Sequence, residues 1–163
     1  MLRLVAETVL HTALFPGTIL VVLPGWLLAS EGRLAWPSLS PASAAGIVAI
    51  AVGFGLGAWC TWDFVAKGKG TPNPLDPPKL VVATGPYRHV RNPMYVSVAT
   101  MLVGEALVFA SVRLVAYTAV VVVGFHLFVL LYEEPTLRRL FGSSYDAYCT
   151  DVPRWLPRLS PRA

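Results

Sequence analysis

The amino-acid sequence predicts an all-helical integral membrane protein, and its composition is the first reason. Hydrophobic residues make up 55% of the 163 residues and charged residues only 13%, whereas a soluble domain has about 25% charged residues. The mean hydropathy of +0.61 leaves too little polar surface to coat a soluble globule of this size. These values argue against a soluble enzyme, a disordered chain and a disulfide-rich domain.

Four apolar stretches are the second reason. They cover residues 4–28, 42–64, 95–110 and 114–132, and a helix needs about 20 residues to cross ~30 Å of hydrocarbon. We therefore predict a single domain, residues 1–163, with four transmembrane helices. The first stretch has the alternative of a cleaved signal peptide, because Arg3 precedes it. Its length and the interruption by Glu7 and two prolines favour a retained span.

The basic residues predict the orientation in the membrane. Of the 13 lysine and arginine residues, all but Arg33 and Arg113 lie near the N-terminus, in the loop 66–92 or in the tail 133–163. The positive-inside rule places these segments, and both termini, in the cytoplasm. The basic residues are scattered singly between apolar blocks, so we expect the lipid bilayer and no nucleic acid as a partner. Cys60 and Cys149 suggest neither a disulfide framework nor a metal site.

Most of the polar chain then lies on the cytoplasmic side. After Pro135, apolar and aromatic residues recur at helical spacing, which predicts a short amphipathic helix on the inner membrane surface. Trp155 suits the aromatic belt at the membrane interface. We expect the loop 66–92 and this C-terminal helix to form a cap on the cytoplasmic side, and a catalytic site, if the protein has one, to lie at this face.

Two motifs carry the candidate chemistry. The first is Gly85-Pro-Tyr-Arg-His-Val-Arg-Asn-Pro-Met-Tyr95, in which Pro93 suits the first turn of a helix and Asn92 its N-cap. The second is the Glu133–Glu134 pair, where the fourth apolar stretch ends. The third and fourth stretches form a hairpin with legs of similar length. We therefore expect both motifs at one depth on the cytoplasmic side.

Together these motifs, with the later Phe141-Gly-x-x-Tyr145-x-x-Tyr148-x-x-x-Val152-Pro-Arg, resemble the isoprenylcysteine carboxyl methyltransferase family, which is related to the membrane phospholipid methyltransferases. The resemblance covers roughly residues 62–157. It implies transfer of a methyl group from S-adenosylmethionine to a lipophilic or small acceptor arriving from the bilayer. It also implies that the cofactor site lies at the cytoplasmic ends of the last two spans, under the cap formed by the loop and the C-terminal helix. It also implies cofactor contacts at these residues: Lys79, Leu80, Val81, Val82, Tyr87, Asn92, Pro93, Met94, Tyr95 and Glu133.

The side chains suit this chemistry without a metal. Arg88, Arg91 and Asn92 can bind the cofactor carboxylate, and Glu133 can accept a hydrogen bond from its ammonium or a hydroxyl. Tyrosine rings can face the sulfonium. We expect catalytic roles for Glu133 and Arg91, and substrate contacts at Val129, His126 and Glu105.

This sequence departs from the family at two positions. Asn92 stands where many members have histidine, which replaces a titratable donor by a neutral amide. Val129 stands where the prenylcysteine enzymes have an arginine that contacts the substrate. We therefore expect a neutral or weakly acidic acceptor rather than a prenylcysteine, while the methylated atom (oxygen, nitrogen or sulfur) stays open.

Each candidate also has a structural alternative. Residues 92–95 and the glutamate pair could mark only helix ends, and His89 could face headgroups. His126 could make an interhelical hydrogen bond, and Glu105 could pair with His126 or with a residue of the first stretch. The Gly53-x-Gly55-x-Gly57 run predicts close helix packing rather than a nucleotide loop. For the whole protein, the alternative is a non-catalytic membrane carrier or scaffold that keeps the fold.

Overall fold

The computed structural model describes residues 16–33, 38–67 and 83–158, and every regular element in these ranges is a helix. The elements are a π-helical turn (Thr18–Val22), α1 (Leu23–Ser30), α2 (Pro41–Lys67), a 3₁₀ turn (Gly85–Arg88), α3 (Pro93–Phe109), α4 (Val112–Phe128), a second π-helical turn (Val129–Glu133), α5 (Glu134–Phe141) and α6 (Ser143–Asp151). The predictions for Lys79, Leu80, Val81 and Val82, and for the part of the first apolar stretch that contains Glu7, lie outside the described residues.

Two helical stretches are long and apolar enough to cross a membrane. They are Pro41–Asp63 and Val112–Phe141, whereas Thr18–Ser30 and Pro93–Phe109 are apolar but shorter. Large apolar side chains such as Val48, Phe54 and Val120 are exposed on these helices, as expected where hydrocarbon replaces water. The all-helical architecture is confirmed within the described ranges, and the count of four spans stays a prediction.

Glycines bring α2 and α3 into close contact. A Cβ atom on Gly46 would lie 2.6 Å from the carbonyl oxygen of Gly104, and one on Gly53 would lie 2.8 Å from that of Ser97. The Ser97 hydroxyl donates to the Gly53 carbonyl oxygen at 2.8 Å. The predicted packing role is thus confirmed for Gly53 and for Gly57, whose Cβ would meet the Ser97 hydroxyl at 2.7 Å. Gly55 points into open space, because it lies on another face of the helix.

The turn between α3 and α4 lies at one end of the bundle, and the two motifs lie at the opposite end. Ala110 adopts a left-handed conformation (φ 46°), and the Ser111 hydroxyl caps α4 by accepting from the Leu114 amide. Glu31 accepts from the Ser111 hydroxyl at 2.8 Å and pairs with Arg113 at 3.3 Å. Arg33, the other basic residue assigned to this side, donates to the carbonyl oxygen of Ala110 at 2.9 Å. The structure therefore places Arg33 and Arg113 at the same end.

The C-terminal region differs from the single amphipathic helix that we expected. The fourth apolar stretch continues through the second π-helical turn directly into α5. Gly142, with φ +54°, then ends α5, since a left-handed backbone at this position suits glycine. The tail consequently contains two short helices, α5 and α6, that meet at Gly142.

Candidate active site at the basic end of the bundle

The hydroxyl of Tyr95 and the carboxylate of Glu133 form the first contact of the site. Tyr95 lies in the first turn of α3, which begins at Pro93, and Glu133 ends the second π-helical turn. The Tyr95 hydroxyl donates to Glu133 Oε2 at 2.9 Å. The hairpin thus brings the two motifs together, as the sequence predicted.

Glu134 forms the second contact, with two arginines. Its side chain is 4% exposed, and its Oε1 lies 2.9 Å from Arg91 Nη1 and 2.7 Å from Arg154 Nε. Arg154 Nη2 also donates to Oε2 at 2.9 Å, so this pair is bidentate. The hydrogen bonds that Arg154 donates to the Glu134 carboxylate raise the pKa of its guanidinium. One carboxylate therefore joins the loop before α3 to the chain that follows α6.

That following segment, residues 152–158, is called the C-terminal strap here. The Arg91 amide donates to the Pro153 carbonyl oxygen at 2.9 Å, and the Asn92 side chain donates to that of Arg154 at 3.2 Å. The Arg158 amide donates to the His89 carbonyl oxygen at 2.9 Å. Asn92 precedes α3 as its N-cap but makes no side-chain cap bond, because its amide binds the strap.

Tyr87 and Tyr148 fix the other side of the same loop. The Tyr148 hydroxyl, on α6, donates to the Tyr87 carbonyl oxygen at 2.8 Å. Burial raises the pKa of both phenols, so both stay protonated at physiological pH. The loop that carries the first motif is thus held between α6 and the strap.

Sequence reasoning did not single out Asp63, which supports this loop from α2. Asp63 is 7% exposed, and its Oδ2 accepts from the Thr84 hydroxyl at 2.8 Å. Gly85, at φ +55°, lies so close that a Cβ there would be 3.1 Å from the same oxygen. A lone aspartate at the end of an apolar stretch was the signal that could have identified it.

An apolar cavity of about 520 Å³ opens between α3 and α4 beside Tyr95. Tyr95, Ala99 and Val103 line it from α3, Val122 and His126 from α4, and Trp155 from the strap. Trp155 Nε1 donates to His126 Nδ1 at 3.0 Å, and the Tyr95 ring packs on Phe125 with centroids 4.8 Å apart. Among the described residues, no lysine, arginine, aspartate or glutamate lines the cavity.

The structure brings some of the predicted site residues to this cavity and leaves others elsewhere. Tyr95 and His126 line it, and Glu133 joins it through Tyr95. Val129 is completely buried, and neither it nor Glu105 is among the lining residues. The other predicted residues that the structure describes lie in the 3₁₀ turn, in the loop after it or in the first turn of α3: Tyr87, Arg88, Arg91, Asn92, Pro93 and Met94.

Comparison with known proteins identifies the family. No curated protein and no solved structure matches the chain. A family model described as phospholipid methyltransferase matches residues 41–144. The matched range begins with α2 and contains Tyr95, Glu133 and Glu134. Since it covers more than half of the sequence, the chain belongs to the phospholipid methyltransferase family, to which the family that its motifs resemble is related.

Proposed function

We propose that this protein transfers a methyl group from S-adenosylmethionine to a lipophilic or small acceptor at the cytoplasmic face of the membrane. The observation that supports this most is the Tyr95–Glu133 pair at the edge of an apolar cavity between two helices. A methyltransferase of this kind must bring a polar cofactor and an apolar acceptor into one dry space. The pair is polar and the cavity is apolar, and they adjoin.

The residues at the pair fit the cofactor. Glu133 Oε2 is engaged by Tyr95, whereas Oε1 has no hydrogen-bond partner within the described parts of the chain. This oxygen can accept a hydrogen bond from the cofactor ammonium or a ribose hydroxyl. The rings of Tyr95 and Trp155, whose centroids are 6.5 Å apart, offer aromatic faces to a cation. When bound, S-adenosylmethionine supplies an electrophilic methyl group on its sulfonium.

The other proposed cofactor contacts follow from the family resemblance. In the described part of the chain they are Tyr87, Asn92, Pro93 and Met94. The resemblance adds the segment Lys79, Leu80, Val81 and Val82, which precedes the described loop. Arg91 and Arg154 neutralise Glu134 beneath this loop, so in this proposal Arg91 acts on the reaction by holding the loop and its charge in place.

Glu133 is the proposed general base. A carboxylate can remove the proton of an acceptor hydroxyl, amine or thiol as the methyl group is transferred. Glu133 Oε1 has two lone pairs, so one can bind the cofactor while the other takes the proton. The walls of the cavity, including Trp155 of the C-terminal strap, are mainly apolar, which disfavours water beside the reacting groups. Alignment of the two reactants accounts for most of the acceleration expected of such a site.

The proposed cytoplasmic orientation is supported by the distribution of charge. The described arginines other than Arg33 and Arg113 all lie at the site end of the bundle, in the 3₁₀ turn, the loop, α5 or the strap. Arg33 and Arg113 contact the hairpin turn at the opposite end. By the positive-inside rule the site end faces the cytoplasm.

A methyl-transfer assay tests the function. Purified protein in detergent is incubated with S-adenosylmethionine labelled in its methyl group, a total membrane lipid extract and a panel of thiols, and the product is identified by mass. We expect a labelled product that disappears with Glu133→Gln and persists with Arg139→Gln, a matched change on the exposed surface of α5. Absence of both transfer and cofactor binding would favour the non-catalytic carrier or scaffold.

A further inference from the structure

The contact between Trp155 and His126 determines which ring nitrogen of His126 carries the proton. Trp155 Nε1 donates to His126 Nδ1 at 3.0 Å, and an indole N–H can only donate. Nδ1 must therefore present a lone pair. In that tautomer the imidazole proton is on Nε2, which makes Nε2–H a hydrogen-bond donor.

This donor has no partner within the residues that the structure describes. His126 lines the apolar cavity, next to Phe125 and Val122. A donor left without a partner in apolar surroundings is unfavourable, and an oxygen atom of a bound molecule would satisfy it. The hydroxyls of Tyr95 and Thr100 also line the cavity, but they already donate to Glu133 and to the Val96 carbonyl oxygen. Within the described lining, the His126 Nε2–H is therefore the donor left for a bound molecule.

The donor lies close to the proposed site of methyl transfer. The Trp155 ring joins the two, since its centroid is 5.9 Å from that of His126 and 6.5 Å from that of Tyr95. Tyr95 in turn donates to Glu133. A molecule that fills the cavity beside His126 therefore reaches the Tyr95–Glu133 pair.

We propose that His126 determines acceptor specificity by donating its Nε2–H to an oxygen of the methyl acceptor. The substrate class is then a lipophilic molecule with a carbonyl, ether or hydroxyl oxygen near the atom that is methylated. Toward the acceptor, Trp155 is a positioning residue, because its contact with His126 fixes the donor. This inference rests on the proposed function.

In this tautomer His126 cannot be the general base of the reaction. Nε2 already carries a proton, and the lone pair of Nδ1 is engaged by Trp155. His126 therefore has no free lone pair with which to remove a proton from the acceptor. Glu133 Oε1 remains for that step.

Nitrogen NMR on the unloaded protein tests the tautomer. Histidine is labelled with ¹⁵N, the protein is purified in detergent micelles, and the His126 signals are assigned by their loss in His126→Gln. Two-bond couplings between ring nitrogens and carbon-bound protons distinguish the tautomers. We expect the proton on Nε2 in the wild type and a mixture of tautomers in Trp155→Phe, which keeps a ring but lacks the donor. A proton on Nδ1, or on both nitrogens, in the wild type overturns the proposal.

Binding of two matched probes tests the specificity. Octyl thioglycolate has an ester carbonyl next to its thiol, whereas decanethiol has the thiol and an alkyl chain only. We expect octyl thioglycolate to shift the His126 Nε2 signal and to bind about two- to tenfold more tightly than decanethiol, the range for one neutral hydrogen bond. His126→Phe should remove this preference, and His126→Gln, which retains an N–H donor, should keep part of it.

Equal binding of the two probes to the wild type would overturn the proposal, as would a preference that survives His126→Phe. Neither measurement requires methyl transfer. If the protein transfers no methyl group to any acceptor, the proposed function fails, while the tautomer and the probe preference are still decided by these experiments.

Discussion

Glu133 and Glu134 are adjacent in sequence, yet their carboxylates belong to two separate hydrogen-bond networks. Glu133 accepts from Tyr95 beside the apolar cavity, whereas Glu134 is buried between Arg91 and Arg154. The π-helical turn Val129–Glu133 immediately precedes Glu134, and such turns change the direction of side chains within a helix and are frequent at functional sites. The two residues therefore have different expected roles, one in binding and one in stability.

Glu134→Gln should strongly lower the stability of the protein. The methyl-transfer activity of the molecules that stay folded should fall less. Removal of this charge leaves two arginines facing a neutral amide. The loss should be about 3 kcal/mol, at the lower end for breaking a buried ion pair, because Arg154 is partly exposed. Thermal melting in detergent measures it. Arg138→Gln, which breaks the exposed pair with Asp146, should leave the melting midpoint nearly unchanged, and similar losses in both variants would contradict this account.

Gly46→Ala should loosen the contact between α2 and α3. The new methyl group would lie 2.6 Å from the Gly104 carbonyl oxygen, so the helices must separate at a cost of roughly 1–3 kcal/mol. Gly55→Ala is the matched control, because nothing lies within 4 Å of a Cβ there. Melting midpoints should fall for Gly46→Ala alone. An equal fall at Gly55 would show that helix spacing is not the cause.

Labelling of single cysteines should show that the two ends of the bundle lie on opposite sides of the membrane. In a Cys60→Ala, Cys149→Ala background, Leu39→Cys reports the end near Arg33 and Ala147→Cys reports α6. A membrane-impermeant maleimide should label Leu39→Cys in intact cells and Ala147→Cys only in inverted vesicles. The reverse pattern would contradict the proposed orientation.

N-acetyl-farnesylcysteine should be a poorer acceptor than neutral lipophilic thiols, phenols or amines. Its carboxylate requires a fixed cation in a partly dehydrated site, and no lysine or arginine lines the cavity within the described chain. Val129, which stands where the prenylcysteine enzymes have arginine, is fully buried. Initial rates with matched acceptors measure the preference. Efficient methylation of the prenylcysteine would disprove it, and Val129→Arg should then add little.

The sequence was sufficient to predict the elements that depend on local chemistry. Pro93 begins α3 as expected, and the hairpin of two apolar stretches places Tyr95 beside Glu133. Gly53 and Gly57 could be assigned to packing because an apolar helix with small residues at this spacing needs a close neighbour.

The parts that depend on contacts between distant segments could not be predicted. Hydropathy shows no sign of a π-helical turn at residues 129–133. The different hydrogen-bond partners of Glu133 and Glu134 could therefore not be predicted. Arg91 was expected to bind the cofactor, but it pairs with Glu134, which it shares with Arg154. This arrangement depends on how the strap returns to the loop. The alternatives for His126 could not be separated, since the strap that brings Trp155 to it has no periodic pattern.

Calorimetric titration of S-adenosylhomocysteine into the purified protein tests the central claim, that the Tyr95–Glu133 pair binds the cofactor. The wild type should bind, and Glu133→Gln should weaken binding by about 1.5–3 kcal/mol, the value for a hydrogen bond to a charged group. Tyr95→Phe and Tyr95→Ala should also weaken binding, whereas Arg139→Gln should change it little. No binding to the wild type, or equal losses in Glu133→Gln and Arg139→Gln, would contradict the account.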